Sequence, residues 1–215
     1  MIQNILIDLD GTLTDPKVGI TTSARYGLEK VGHPIPVATN IDWIIGPPLK
    51  ASLAKLLNVE SHDVLAEQAL QAYRERFAVQ GLYENKVFPH VAETLAELNR
   101  RGYTLFLATA KPTVYARQIL EYFKLDQYFK GIYGSELNGD RTNKGELIEY
   151  LLNMESLDPM TCLMVGDREH DILGARSNGI ETIAVTYGYG SAEELLKAQP
   201  KFKMDQFDQI FQYVK

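Results

Sequence analysis

Five short apolar runs recur along the chain: ILI (5–7), YTLFLA (103–108), GIYG (131–134), TCLMVG (161–166) and ETIAVT (181–186). Each is rich in β-branched or aromatic residues and gives way to polar or glycine-containing sequence. That is the pattern of strands buried on both faces in a parallel sheet. Between the later runs the apolar positions change to helical spacing. VAETLAELNRRG (91–102) ends at Gly102, and TVYARQILEYFKL (113–125) follows Pro112, a residue suited to the first turn of a helix. KGELIEYLLNM (144–154) and DILGARSNG (171–179) complete the alternation. Strand and helix alternating in this way predict an α/β fold, a doubly wound parallel sheet.

One long segment breaks the rhythm. Residues 16–82 contain no convincing strand but several helical stretches: TTSARYGLEKVG, a run from Asn40 through PPLKASLAKLLN, and SHDVLAEQALQAYRERF. A parallel crossover needs only about a dozen residues. This insertion is several times longer, and its amphipathic helices would pack on one another. The expected organisation is an α/β core made of residues 1–15 and 83–215, with a small all-α cap domain, residues 16–82, inserted after the first strand.

Composition narrows the class. The 215 residues are 45% hydrophobic and 23% charged, ordinary values for a chain that buries a real core. The net charge of −6 and the absence of a long basic run argue against nucleic acid as a partner. No apolar run approaches the ~18 residues of a membrane span. The N-terminus shows no signal-peptide pattern, because ILI leads straight into Asp8. Cys162 is the single cysteine and lies in an apolar run, which reads as a packed core thiol. The expectation is a soluble, cytoplasmic protein with no membrane partner. Oligomeric state is left open.

In open α/β sheets ligands bind beyond the carboxyl ends of the strands. The residues that follow each strand are therefore the ones to read. The first strand delivers Asp8, Asp10, Gly11 and Thr12; the second delivers Thr109, Ala110 and Lys111; Lys144 precedes a helix; and CLMVG delivers Asp167, with Asp171 four residues on. Several carboxylates in one crevice repel, by about 4 kcal/mol for two charges ~4 Å apart at an effective dielectric near 20. A cation relieves this, and oxygen-only ligands select a hard ion such as Mg²⁺. A lysine and a hydroxyl beside backbone N–H groups at a helix start cradle an anion. Metal, phosphate cradle and a spare carboxylate together describe phosphoryl transfer with an aspartate nucleophile.

The motifs DLDGT (8–12), a hydrophobic strand ending in Thr109, Lys144 before a helix, and GDREHD (166–171) resemble the four motifs of the haloacid dehalogenase (HAD) superfamily. The resemblance covers essentially the whole chain, and the helical insertion sits where the phosphoglycolate phosphatase-like branch has its cap. It implies a Mg²⁺-dependent hydrolase of a small phosphorylated metabolite, phosphoglycolate phosphatase-like or 5′-nucleotidase-like. By the same resemblance Asp8 is the nucleophile, and Asp10 is the general acid/base that also lends its backbone carbonyl to the metal. Thr109 and Ala110 hold the phosphoryl oxygens, Lys144 neutralises charge, and Asp8, Asp10 and Asp167 form the metal set. Asp171 acts nearby, through a metal-bound water or by orienting Lys144.

Some positions depart from the family pattern or carry a second reading. Gly145 stands where relatives often have proline, and Arg168 where a small hydroxyl residue is common. His170 reads as a solvated or helix-capping residue, and Lys111 either assists phosphate binding or lies on the surface. In the cap, Lys50, Arg74 and Arg76 are the candidates for substrate selectivity, and IIGPPLK (44–50) is a break between helices; Trp43 and Tyr83 read as packing residues. Two rival functions share the inventory: a sugar-phosphate mutase of the β-phosphoglucomutase kind, and a phospho-acceptor receiver-type signalling module. Thr12 after DxDG is commoner in hydrolases than in mutases, and receivers lack a long insertion after the first strand. A dehalogenase would lack the second acid, Asp10.

Overall fold

The structure is a computed structural model that describes residues 1–214. In chain order its principal elements are β1 (Asn4–Ile7), β2 (Thr14–Asp15), α1 (Lys17–Lys30), α2 (Leu49–Leu57), α3 (Val64–Arg76) and β3 (Lys86–Val87). There follow α4 (Val91–Arg100), β4 (Thr104–Pro112), α5 (Thr113–Tyr122), β5 (Gly131–Ser135), α6 (Lys144–Glu155) and β6 (Cys162–Gly166). The chain ends with α7 (Glu169–Ser177), β7 (Glu181–Val185), α8 (Ala192–Ala198) and β8 (Phe202–Met204). It forms two compact units. One joins Met1–Asp15 to the chain from Val87 onward; the other is Pro16–Lys86.

Among the described residues the first unit is built on a six-stranded sheet in the order β5-β4-β1-β6-β7-β8. All its pairings are parallel. This is the doubly wound α/β fold expected from the apolar runs. β1 lies between β4 and β6, and its Leu6 is in register with Phe106 on one side and Met164 on the other. From β1 the chain winds outward through β4 and β5, then returns to the opposite side of β1 with β6. The carboxyl end of β1 is therefore the point at which the strand order reverses, where side chains of several loops meet in such sheets.

The core explains why those runs are continuous rather than alternating. Leu6, Phe106, Ala108 and Met164 of the sheet pack with Ile148 and Leu151 of α6 and with Ala175 of α7. Cys162 belongs to the same cluster, and burial pushes its thiol pKa up, consistent with a packing role.

Several details differ from expectation, since β2, β3 and α8 as well as β8 lie outside the runs read from the sequence. β8 was not foreseen, because FKM is too short to show a hydrophobic period and only Met204 of the three is buried. Pro112 does not enter the first turn of α5. It closes β4 with an extended ψ of 132° and precedes Thr113, since a proline that ends a strand has no amide hydrogen to lose from the ladder.

The second unit is helical. Asp63 caps α3 by accepting the Leu65 N–H at 2.7 Å, and Asn58 ends α2 in the left-handed conformation. A side chain at Gly27 of α1 would fall 2.5 Å from the Ala69 carbonyl of α3, so these two helices cross in close contact. Arg76 donates two hydrogen bonds to the Glu84 carboxylate, at 2.8 and 2.9 Å, and a third to the Ser23 hydroxyl at 3.0 Å. Lys50 pairs with Glu67 at 2.6 Å, but both side chains are 40% exposed. The Lys55 ammonium lies over the Trp43 ring, but Trp43 and Tyr83 are both exposed and not the buried packing residues that the sequence suggests.

The two ion pairs of this unit should differ in energetic weight. Arg76→Met removes a bidentate, largely enclosed pair and is expected to lower stability by about 1–3 kcal/mol in urea denaturation. Lys50→Met breaks an exposed pair and is expected to change stability by less than about 0.5 kcal/mol.

Candidate active site

The turn after β1 is made by one carbonyl. Leu9 C=O accepts the N–H groups of Thr12, Leu13 and Thr14 at 3.2, 2.9 and 3.0 Å. Gly11 in this turn has φ +83°, and a side chain there would sit 2.2 Å from Asp167 Oδ2. Glycine is required twice over, by the backbone and by the close approach of a carboxylate. Asp8 remains in line with the sheet, its N–H donating to the Val165 carbonyl at 2.9 Å.

The turn brings the acids of two motifs together. One carboxylate oxygen each from Asp8, Asp167 and Asp171 lies within 4.8 Å of the others, and all three residues are buried. Lys144 reaches them from the first turn of α6. Its Nζ is 2.8 Å from Asp8 Oδ1, 2.7 Å from Asp171 Oδ1 and 2.8 Å from the Ala108 carbonyl oxygen. The start of α6 is fixed by Asn143, whose side chain accepts the N–H groups of Gly145 and Glu146 at 2.8 and 3.2 Å. Gly145 keeps its N–H for that cap, which a proline could not supply.

The Asp10 carboxylate is not in the three-acid group. Its Oδ2 is 2.7 Å from Lys111 Nζ, and its Oδ1 is buried with no hydrogen-bond partner. Lys111 is thus an interior residue and not a surface one, with its side chain only 5% exposed. Thr109 is buried at the sheet end, and its Oγ1 accepts the Lys111 N–H at 3.3 Å. Ala110 is half-buried, and its carbonyl accepts a hydrogen bond from Ser135 Oγ at 2.7 Å. Lys50, Arg74 and Arg76 belong to the helical unit, where Arg76 is committed to Glu84 and Ser23.

Other contacts that organise the site were not foreseen. The segment TYGYGS (186–191) follows β7 and wraps Asp167: the Tyr189 N–H donates to Asp167 Oδ2 at 2.7 Å. Side chains at Gly188 and Gly190 would fall 2.3 Å from Asp167 Cβ and 2.0 Å from its carbonyl oxygen. Tyr187 O–H donates to the Thr12 carbonyl at 2.7 Å, and the Tyr189 hydroxyl binds Asp15. Glu194 accepts from Arg168 Nε at 2.8 Å and from the Glu169 N–H at 2.9 Å, so Arg168 is neutralised by its own carboxylate. The two closely spaced glycines directly after an apolar run were the available signal. His170 is half-buried beside this arrangement.

Electrostatics follow from the burial. Asp167 is pushed well above the usual carboxylate range by loss of water and then by the charges of Asp171 and Asp8. Burial also raises Asp171 against the opposing pull of Lys144, and raises Asp10 against that of Lys111. For Lys144, burial alone would favour the neutral amine, but Asp171 and Asp8 outweigh it and hold the ammonium charged. Four buried carboxylates face two buried ammonium groups, Lys111 and Lys144. Asp10 pairs with Lys111, which leaves Asp8, Asp167 and Asp171 to share the one ammonium of Lys144, an acid excess in a cluster that could hold a divalent cation.

The family model described as "Haloacid dehalogenase-like hydrolase" matches residues 5–185, a span that takes in every one of these acids and lysines. The chain belongs to the haloacid dehalogenase-like hydrolase family. A 5′-nucleotidase of Pseudomonas aeruginosa is 50% identical to it over 92% of this chain and 88% of its own length. A phosphoglycolate phosphatase of Vibrio vulnificus is 30% identical over 99% of this chain and 96% of that protein. Among solved structures, a predicted phosphatase from Clostridium acetobutylicum aligns with a TM-score of 0.94 and 38% identity, covering 100% of this chain and 98% of that one. The family resemblance read from DLDGT and GDREHD is borne out, as is the parallel-sheet fold. Among the described residues, no helix is long and apolar enough to cross a membrane.

Raised carboxyl pKa values mean that the metal-free folded protein binds more protons than the unfolded chain above about pH 4. Its stability is therefore expected to fall as pH rises above that value. In chelator-treated protein the melting temperature should drop between mildly acidic and mildly alkaline pH. Adding a divalent cation should restore more of it at the alkaline end. Asp167→Asn should flatten the pH slope and shrink the metal-induced shift in thermal unfolding.

Proposed function

We propose that this chain is a Mg²⁺-dependent phosphatase of small phosphorylated metabolites that works through an aspartyl-phosphate on Asp8. It is a phosphoric monoester hydrolase. The observation that carries the reading is Lys144 Nζ held between Asp8 and Asp171 at 2.8 and 2.7 Å, beside an acid set that could hold a divalent cation. Nucleoside 5′-monophosphates are the substrate class supported best, by the 50% identity to a 5′-nucleotidase. Phosphoglycolate is the second candidate. A cytoplasmic setting fits such metabolites.

The residues divide the work as follows. Asp8 Oδ attacks phosphorus, and the bond to the leaving oxygen breaks as the new P–O bond forms. Asp10 gives its proton to that leaving oxygen, then takes one from the water that hydrolyses the aspartyl-phosphate. Thr109 and the Ala110 backbone bind phosphoryl oxygens, and Lys144, 2.8 Å from Asp8 Oδ1, offsets charge gathering on the phosphoryl group. A Mg²⁺ ion held by Asp8, Asp167 and the Asp10 carbonyl, with Asp171 adjacent, would supply the remaining positive charge for phosphate oxygens. The helical unit Pro16–Lys86 serves as the cap under this reading, with Lys50 and Arg74 as its candidates for substrate selection.

Three results test the proposal. Asp8→Asn and a chelator should each reduce turnover of an aryl phosphate by at least about a thousandfold, with excess Mg²⁺ reversing only the chelator. Inorganic phosphate should appear in equal amount to the alcohol from a nucleoside 5′-monophosphate. Isomerisation of a hexose phosphate without phosphate release would point to a mutase, and a phospho-Asp8 stable for hours to a receiver. Wild-type hydrolysis by Asp8→Asn would remove Asp8 as nucleophile.

A further inference from the structure

Lys111 and Asp10 form an enclosed pair apart from the metal-binding acids. Their side chains are 5% and 9% exposed, and Lys111 Nζ meets Oδ2 of the carboxylate at 2.7 Å. The second oxygen, Asp10 Oδ1, is also out of water but has no hydrogen-bond partner. A buried carboxylate with one oxygen fixed by an ammonium and the other unpaired is costly as it stands. A group that reaches Oδ1 with a hydrogen-bonding partner would relieve that cost.

The lysine is itself held from its backbone. Its N–H donates to Thr109 Oγ1 at 3.3 Å, and the carbonyl of the preceding Ala110 accepts from Ser135 Oγ at 2.7 Å. Thr113 Oγ1 donates to the Ser135 carbonyl at 3.2 Å, closing the brace between β4, α5 and β5. The register of β4 against β5 is irregular between Thr109 and Pro112, which sets this short segment apart from the regular ladder. Lys144 serves different partners, Asp8, Asp171 and the Ala108 carbonyl, so the two lysines are not duplicates.

We infer that Lys111 is the positioning residue of Asp10: it pins Oδ2 and so presents Oδ1 as the oxygen that delivers a proton to the departing alcohol. This deepens the phosphatase reading and rests on it. In the step concerned, an Asp8 oxygen bonds to phosphorus and the phosphorus–alkoxide bond breaks. The electron pair of that bond stays on the leaving oxygen, which takes the proton from Asp10 Oδ1. Asp10 is then the carboxylate that activates water.

A proton donor matters only when the leaving group needs a proton, and that separates positioning of Asp10 from plain anion binding by Lys111. The experiment compares kcat/KM, which reports the steps up to alcohol release, for a nucleoside 5′-monophosphate and for dinitrophenyl phosphate, with Mg²⁺ present. Lys111→Met is expected to lower the value for the nucleotide by about tenfold to a hundredfold and for the dinitrophenyl ester by less than about threefold. Lys111→Arg, which keeps a cationic donor, should recover most of the loss on the nucleotide. In the Asp10→Asn background, adding Lys111→Met should lower the nucleotide value by less than about twofold more, because no proton is left to position.

Equal losses on both esters would assign Lys111 to phosphate binding or to folding and overturn the inference; so would no loss on either, or additive losses in the double variant. If Lys111→Met fails to fold, Lys111→Gln, a neutral donor of similar length, is measured for the same ester split. Failure of the wild-type protein to hydrolyse either ester would instead defeat the phosphatase reading itself.

Discussion

Everything at the carboxyl end of this sheet answers to one constraint: four carboxylates share a space from which water has been removed. Two like charges ~4 Å apart cost about 4 kcal/mol even at an effective dielectric of 20, and burial adds a solvation penalty for each. The fold meets that cost with two buried lysines, each on a different acid or acids. Lys144 spans Asp8 and Asp171, while Lys111 takes Asp10. Three of the four acids, Asp8, Asp167 and Asp171, still converge within 4.8 Å with Lys144 as their shared ammonium, an excess of negative charge that a divalent ion could offset.

Holding such a cluster in place takes more than the residues that carry the charge. Asp171 caps the start of α7 by accepting the Arg168 N–H at 3.0 Å while it also binds Lys144. Asp167 is clasped by TYGYGS, where glycines at 188 and 190 let the backbone come within contact of it. Arg168, which would otherwise add a third cation beside Asp167, is taken up by Glu194 from α8. Each device serves stability and geometry at once. A capped helix end, a close loop and a satisfied arginine are ordinary folding features, and here they fix where the carboxylate oxygens point.

The same economy appears in the helical unit, where chemistry-bearing residue types are used for structure. Arg76 is a candidate for substrate selectivity by sequence, yet it turns inward to Glu84 and Ser23. Basic residues at helical spacing say only which face they share. Whether a guanidinium is spent on a partner within its own unit is decided by which acid folding brings opposite it, and Glu84 lies beyond the helix end.

The sequence alone determined the sheet and the chemistry class, because both depend on local pattern. Five strands were visible as apolar runs, and their carboxyl ends named Asp8, Asp10, Thr109, Lys144, Asp167 and Asp171 as neighbours once a parallel sheet was assumed. β8 was invisible, since three residues with one buried side chain carry no period. The partnerships were equally beyond reach. Nothing in AKP tells that Lys111 turns inward to Asp10, and nothing in TYGYGS tells that its glycines exist to admit Asp167. Those pairings join residues as much as a hundred positions apart, and they follow from strand order and loop path. Local pattern placed the charged groups at one end of the sheet; tertiary structure decided which charge answers which.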